Sequence, residues 1–168
     1  YNAMVDKYGC EVLDSSIHTI SDQSEALVRT QLAALPDGRY SADSYLDDDG
    51  VVMDKTLAVA VSVIISGDEL EIDFTGTARQ SRGPMNAGRS GGLAAARVAF
   101  KSAVVPNLPP NEGVFRALKV TLPEGTIISA TDHAALAQWN MPLKTVIDTI
   151  YWAMSQAAPE RVPAAHHC

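Results

Sequence analysis

A chain of 168 residues is long enough for one domain, on a prior of roughly 150 residues each, and long enough to bury a core. Hydrophobic residues make up 46% and charged residues 20%, an ordinary globular composition that excludes intrinsic disorder and fibrous repeats. A formal net charge of -7 argues against a nucleic-acid partner, because phosphate backbones are held by clustered Lys and Arg.

The longest apolar run, Leu57 to Ile65, is far short of the ~20 residues a membrane helix needs and is rich in β-branched residues, so no membrane span is expected. Cys10 and Cys168 are the two cysteines, and no basic-then-apolar leader precedes the first, which predicts a cytoplasmic protein. The chain opens on Tyr1 and closes on His166-His167-Cys168, which reads as an internal fragment of a longer subunit.

Taken in chain order, Leu13, Ile17, Ile20, Leu27 and Leu35 recur at sums of threes and fours, predicting one or two helices between Cys10 and Leu35 with these residues on one face. Pro36-Asp37-Gly38 then turns the chain. Arg39 to Leu46 reads as a short strand, and Asp47-Asp48-Asp49-Gly50 as an exposed, solvated loop. Leu57, Val59, Val61 and Val63 alternate with small residues, and Leu70, Ile72 and Phe74 alternate with carboxylates, across Ser66-Gly67-Asp68. That pattern predicts a β-hairpin whose first strand is covered on both faces and whose second is half buried. A glycine-rich loop leads into an alanine-rich helix over Leu93 to Val104. Leu118, Val120 and Leu122 mark another strand, ended by Pro123-Glu124-Gly125. Leu143, Val146, Ile147, Ile150, Tyr151 and Met154 trace an amphipathic helix between Pro142 and Pro159. The expected fold is therefore α+β (mixed α/β): residues 1–168 as a single segment, a hairpin-containing sheet packed with amphipathic helices, forming a portion of a larger subunit.

Local motifs offer little self-contained chemistry. Gly83-Pro84-Met85-Asn86-Ala87-Gly88-Arg89-Ser90 matches a phosphate-binding loop except that Arg89 stands where the lysine belongs, and a glycine-rich turn is the preferred reading. Asp47-Asp48-Asp49-Gly50 lacks the spaced acids of a calcium loop at Tyr45 and Thr56. His166-His167-Cys168 has zinc-compatible side chains but no second cluster, His18 reads as a surface residue, and His133 beside Asp132 as a loop histidine. No Gly-x-Ser-x-Gly elbow, His-Glu-x-x-His helix or Cys-x-x-Cys pair occurs.

Longer motifs, in order, are Ala33-Ala34-Leu35-Pro36-Asp37-Gly38-Arg39-Tyr40; Asp73-Phe74-Thr75-Gly76-Thr77 continuing to Gly83-Pro84-Met85-Asn86-Ala87; Pro109-Pro110-Asn111-Glu112-Gly113-Val114-Phe115-Arg116; and Pro123-Glu124-Gly125. A weaker stretch runs from Val146-Ile147-Asp148 to Pro159-Glu160-Arg161-Val162-Pro163-Ala164-Ala165. In order and spacing this set resembles the hydantoinase B/oxoprolinase family, which includes the B-type component of ATP-dependent N-methylhydantoinase and the large subunits of acetone and acetophenone carboxylases. The resemblance implies a B-type subunit of an ATP-dependent cyclic-amide hydrolase opening a hydantoin or 5-oxoproline-like ring. A ketone carboxylase subunit and a non-catalytic assembly scaffold are the alternatives. It further implies a hetero-oligomer in which an A-type partner binds ATP and upstream segments absent here bind a divalent metal, so that this chain alone is inactive and holds no cofactor.

By the same resemblance Asn86, Asn111 and Arg116 are candidate substrate-binding residues. The two amides can orient loops or a substrate carbonyl, and the guanidinium can pair with a carboxylate. The same residue types also satisfy backbone groups in irregular loops. Gly76, Gly83 and Gly113 are expected to serve backbone geometry. The chain departs from the family at Ser129-Ala130, at Asp132-His133-Ala134-Ala135 and in the loop Gln138-Trp139-Asn140-Met141-Pro142, where relatives usually carry prolines in the first two places.

Overall fold

The computed structural model describes residues 1–131 and 133–164. Asp132, Ala165, His166, His167 and Cys168, named above, lie outside the described residues. The elements are α1 (Asn2–Tyr8), α2 (Cys10–Leu32), β1 (Gly38–Leu46), β2 (Leu57–Ser66), β3 (Glu69–Asp73), α3 (Arg89–Val104), a short 3-10 turn (Glu112–Phe115), β4 (Leu118–Thr121), α4 (Asn140–Ser155) and a second 3-10 turn (Pro159–Arg161). This is a mixed α/β fold.

The sheet has the order β1-β2-β3-β4, antiparallel across the first two pairs and parallel between β3 and β4. Ser66 pairs with Glu69, so Gly67-Asp68 closes the hairpin, and the left-handed Gly67 (φ 59°) gives its N–H to Asp37 Oδ1 at 2.8 Å. The parallel pair is separated by the α3 crossover, as a parallel connection requires. On one face Leu57, Val59, Val61, Val63 and Ile65 join Ala42, Leu46, Leu70 and Ile72, all buried. Helix α4 lies against β1 and β2 through Val146, Ile150 and Met154, and α3 meets α4 through Ala95, Ala96, Ala99 and Ala103. Alanines let the helices approach closely, and each large aliphatic side chain sealed here contributes roughly 1.5–3 kcal/mol of transfer free energy.

Two expectations need correction. The first hairpin strand is sealed on one face only: Ala58, Ala60, Ser62 and Ile64 on the other face are half exposed. That face is polar, with Ser41 and Ser62 hydroxyls 2.9 Å apart and Glu71 accepting from Thr121 Oγ1 at 2.7 Å and Lys119 Nζ at 3.0 Å. Small side chains on β2 therefore reflect polar neighbours rather than a second covering layer. Of the residues expected on the buried face Leu13 and Leu35 are buried, but along α2 the rest of that face differs: Ser21, Ser24, Val28 and Leu32 are buried, whereas Ile17, Ile20 and Leu27 are 53%, 55% and 44% exposed. The cause lies in the 3-10 turn, where a Cβ on Gly113 would come within 2.0 Å of Ser21 O, so the helix can present only small side chains there. Arg29 fixes the helix to the hairpin, with Nε 2.9 Å from Glu25 and Nη1 3.3 Å from Asp68 and 3.4 Å from Glu69.

Candidate functional site

Strands β3 and β4 run parallel, so the segments that follow them, residues 74–88 and 122–131, emerge on the same side of the sheet. Crevices outside the carboxyl ends of parallel strands are where open α/β sheets place ligands. The two segments are stitched main chain to main chain: Ile127 N to Ala78 O at 3.0 Å, Gln80 N to Gly125 O at 2.9 Å, Ala87 N to Ile127 O at 2.7 Å and Ala130 N to Ala87 O at 3.0 Å. The result is an irregular platform of loops held with the regularity of a sheet.

Asn86 sits beneath it, fully buried. Its Nδ2 donates to Gly83 O at 2.9 Å, Ala135 O at 3.0 Å and Ser81 O at 3.2 Å, and its Oδ1 accepts from Ser81 N at 2.8 Å and Ser81 Oγ at 3.3 Å. One amide thus joins the glycine-rich loop to the segment before α4. Asp49 acts as a second pin. Its place in an acidic run predicts a solvated turn, but it is 4% exposed: Oδ1 accepts from Val51 N at 2.9 Å and Val52 N at 2.6 Å, and Oδ2 from Gly83 N at 3.0 Å. The N–H groups of Val52, Val51 and Gly83 hold its carboxyl down from an ordinary 3.8 to about 2. Gly83 is obligatory at this approach, since a Cβ would sit 1.8 Å from Asp49 O.

The platform's open side carries Arg79, Gln80, Glu124, Ser129, Ala130, Thr131 and Arg89 around two adjoining cavities of about 440 and 420 Å³. Gln80 Oε1 accepts from both Thr131 N at 2.8 Å and Thr131 Oγ1 at 2.9 Å, joining positions far apart in sequence. Neither residue carries a local sequence signal. A third cavity of about 290 Å³ shares Arg79 and Gln80 and adds Asp49, Lys55, Ser81 and Arg82. The departure from the family pattern at Ser129-Ala130 therefore falls on a cavity wall.

Asn111 and Arg116 lie elsewhere, at the 3-10 turn beside α2. Asn111 Nδ2 donates to Ser24 Oγ at 2.8 Å, while its Oδ1 is buried and receives no hydrogen bond from the described residues. Arg116 Nη1 reaches Asp22 at 2.7 Å and Glu25 at 3.0 Å, and these carboxylates raise the guanidinium's pKa. Asn86 shares no hydrogen-bond partner with either, so the three candidate residues form two groups rather than one constellation.

The loop that imitates a phosphate-binding motif is held by packing on one side: Asn86, Ala87 and Gly92 are buried, whereas Arg89 and Ser90 are exposed. At the start of α3 a Cβ on Gly92 would meet Ile128 O at 2.2 Å, so that side of the first turn packs on protein, while Arg89, exposed on the cavity wall, donates from Nη1 to Leu122 O at 3.0 Å. The glycine-rich turn is the observed state. Among the described residues no group of three or more His, Cys, Asp or Glu side chains could hold a metal ion, and the divalent metal implied by the family resemblance finds no ligand set there. His133 occupies an exposed turn at φ 67°. No helix among the described residues is long and apolar enough to cross a membrane.

Comparison with known proteins agrees with this architecture. A protein of Pseudomonas sp. (strain NS671) assigned as the B-type component of a D-/L-hydantoinase is 31% identical over 98% of this chain and 29% of its own length. The beta subunit of the caprolactamase of Pseudomonas jessenii is 30% identical over 96% of this chain and 28% of its own length. The crystal structure of the ATP-dependent caprolactamase from the same organism superposes with a TM-score of 0.83 at 28% identity, over 95% of this chain and 28% of that one. An acetone carboxylase structure shares the fold, with a TM-score of 0.83 at 18% identity, over 98% of this chain and 24% of that one. The chain thus spans less than a third of the length of these relatives. The model of the hydantoinase B/oxoprolinase family matches residues 1–168, and the chain belongs to that family.

Proposed function

We propose that this chain is part of a B-type subunit of a cytoplasmic, ATP-dependent cyclic-amide hydrolase of the hydantoinase/oxoprolinase type, and that its loop platform forms one wall of the ring-opening site. The observation that carries the reading is that platform: two segments leaving a parallel strand pair, fixed by Asn86 and Asp49, with Gln80, Thr131, Arg79 and Glu124 on the open side. Amide hydrolysis needs a held carbonyl and a route for protons. The Gln80 Nε2 donors, fixed in place because Oε1 accepts from Thr131, suit the first, and a carboxylate such as Glu124 suits the second. Asn86 is a positioning residue here, because its amide is engaged with the main chain. Its contribution to substrate binding is to hold Ser81, Gly83 and Ala135 in register.

In this reading ATP is bound by an A-type partner, and the divalent metal by parts of the longer subunit outside this chain. Alone the chain is inactive. Similarity to the beta subunit of a caprolactamase and to the B-type component of a hydantoinase supports a hetero-oligomer. The test is turnover of a lactam or hydantoin by the full-length subunit with its A-type partner, comparing wild type with Gln80→Ala and Thr131→Ala. A fall of tenfold or more in kcat with assembly intact supports a catalytic wall. Unchanged turnover overturns it.

An assembly scaffold is the second reading, favoured by the apolar residues Val12, Ile17, Ile20 and Leu27 that α2 leaves exposed. Substituting Asn111 and Arg116 separates the two. Lost turnover in an assembled complex supports substrate contact at these residues, whereas normal turnover leaves them as structural ties.

A further inference from the structure

We propose that the uncharged face of α2, together with the groove it forms against the chain leaving α3, is the seat of an apolar segment of the same longer subunit, from outside residues 1–168. The inference rests on the reading of this chain as part of a B-type subunit, and it is independent of which reaction that subunit performs.

Helix α2 carries two stripes at intervals of three and four residues. Glu11, Asp14, His18, Asp22, Glu25 and Arg29 form one, and Leu13, Ile17, Ile20, Ser24, Leu27 and Gln31 form the other. The second has the pattern of a buried face, yet this chain covers only part of it: Leu13 and Ser24 are buried, whereas Ile17, Ile20 and Leu27 remain exposed. At Leu27 the face opens into a cavity of about 320 Å³, with Leu27 and Gln31 on one wall and residues 104–108 on the other. Neither the stripe nor the cavity wall holds a charged residue. The polar members of the stripe are engaged within the chain. Ser24 Oγ donates to Ile20 O at 2.9 Å and accepts from Asn111 Nδ2 at 2.8 Å, and Gln31 Oε1 accepts from Arg161 Nη1 at 3.2 Å. The surface left facing outward is therefore chiefly aliphatic.

Such a surface suits a permanent cover, because interfaces that never open are apolar and depleted of charge, whereas those that form and release are more polar. Relatives supply the cover's source. The hydantoinase component and the caprolactamase beta subunit align with this chain over only 29% and 28% of their own length, so more than two thirds of such a subunit lies outside the matched region. A segment of the same polypeptide reaches the groove at the high effective concentration that a covalent tether provides. A second copy would instead bring together two chains of net charge -7 across a groove that supplies no cation.

The test uses the full-length subunit, alone and with its A-type partner, carrying Ile20→Cys or Leu27→Cys, with Asp14→Cys on the charged stripe as the control. Maleimide labelling at each introduced thiol is followed by peptide mass spectrometry. Photo-leucine incorporated in place of leucine then identifies what Leu27 touches in the otherwise unaltered subunit. The expected result, in the subunit alone, is labelling at positions 20 and 27 at least tenfold slower than at position 14, with cross-links from Leu27 to residues of the same polypeptide outside 1–168. Equal labelling at all three positions overturns the proposal, as do cross-links confined to residues 1–168 or joining two copies. Slowing that appears only after the A-type partner is added overturns it in favour of the scaffold reading. Should a cysteine variant fail to fold by circular dichroism, the photo-leucine pattern decides alone. Turnover is not measured, so a failed hydrolase reading and a failed seat on α2 give different results.

Discussion

Replacing Asn86 with alanine removes one buried amide and leaves several main-chain groups without partners. Three of its hydrogen bonds are well made, to Gly83 O at 2.9 Å, Ala135 O at 3.0 Å and Ser81 N at 2.8 Å. At a net value of about 1 kcal/mol each, the loss is about 3 kcal/mol. For a chain of this size each kcal/mol moves the thermal midpoint by about 2–4 °C, so Asn86→Ala should melt about 6–12 °C below wild type. Asn86→Asp should fare no better despite its matching shape: it retains the acceptor for Ser81 N but sets a buried carboxylate against the carbonyls of Gly83 and Ala135. Urea unfolding followed by circular dichroism, with thermal melts in parallel, measures both. A loss below about 1 kcal/mol for Asn86→Ala would refute the role of this amide as the pin between the glycine-rich loop and the segment before α4.

The other predictions concern neighbouring features. Asp49 has a folded pKa of about 2 against an ordinary 3.8, so its contribution to stability is complete above the unfolded value and disappears as pH falls from about 4 towards 2. Asp49→Asn should flatten that limb of the urea midpoint against pH, and an unchanged limb would show that the carboxylate does not bind the main chain as described. Gly83→Ala should be more damaging than alanine at any exposed loop glycine, because its Cβ meets backbone rather than a flexible side chain. Retention of the wild-type melting temperature would contradict the close approach. Ile20→Lys should change the chain's stability by no more than about 0.5 kcal/mol, since Ile20 is 55% exposed on α2. A loss of about 2 kcal/mol would restore the face that the sequence spacing suggested.

Periodicity located the hairpin and α4 because both obey local rules: alternation across β2 and β3, and a stripe from Leu143 to Met154 between two prolines. It found Leu13 and Leu35 but misassigned the buried face of α2 between them. There the packing partner is a glycine some ninety positions downstream, and the close approach selects Ser21 and Ser24 over larger neighbours. The same limit hid Asp49 and Gln80. An aspartate within Asp47-Asp48-Asp49-Gly50 looks solvated until Gly83 is folded over it, and Gln80 is an unremarkable loop residue until Thr131 arrives. Family motifs performed differently. Gly83-Pro84-Met85-Asn86 marked the platform because buried satisfaction of Asn86 and close approach at Gly83 constrain residue type absolutely, whereas Asn111 and Arg116 marked a separate junction with α2.

The central claim is tested most directly by ATP-dependent ring opening in the full-length subunit assembled with its A-type partner, assayed on hydantoin, 5-oxoproline and caprolactam with and without bicarbonate. The proposal predicts hydrolysis of at least one cyclic amide that requires ATP and is indifferent to bicarbonate. Turnover of a ketone only when bicarbonate is present, with no amide opened, would contradict it and place the protein among carboxylases.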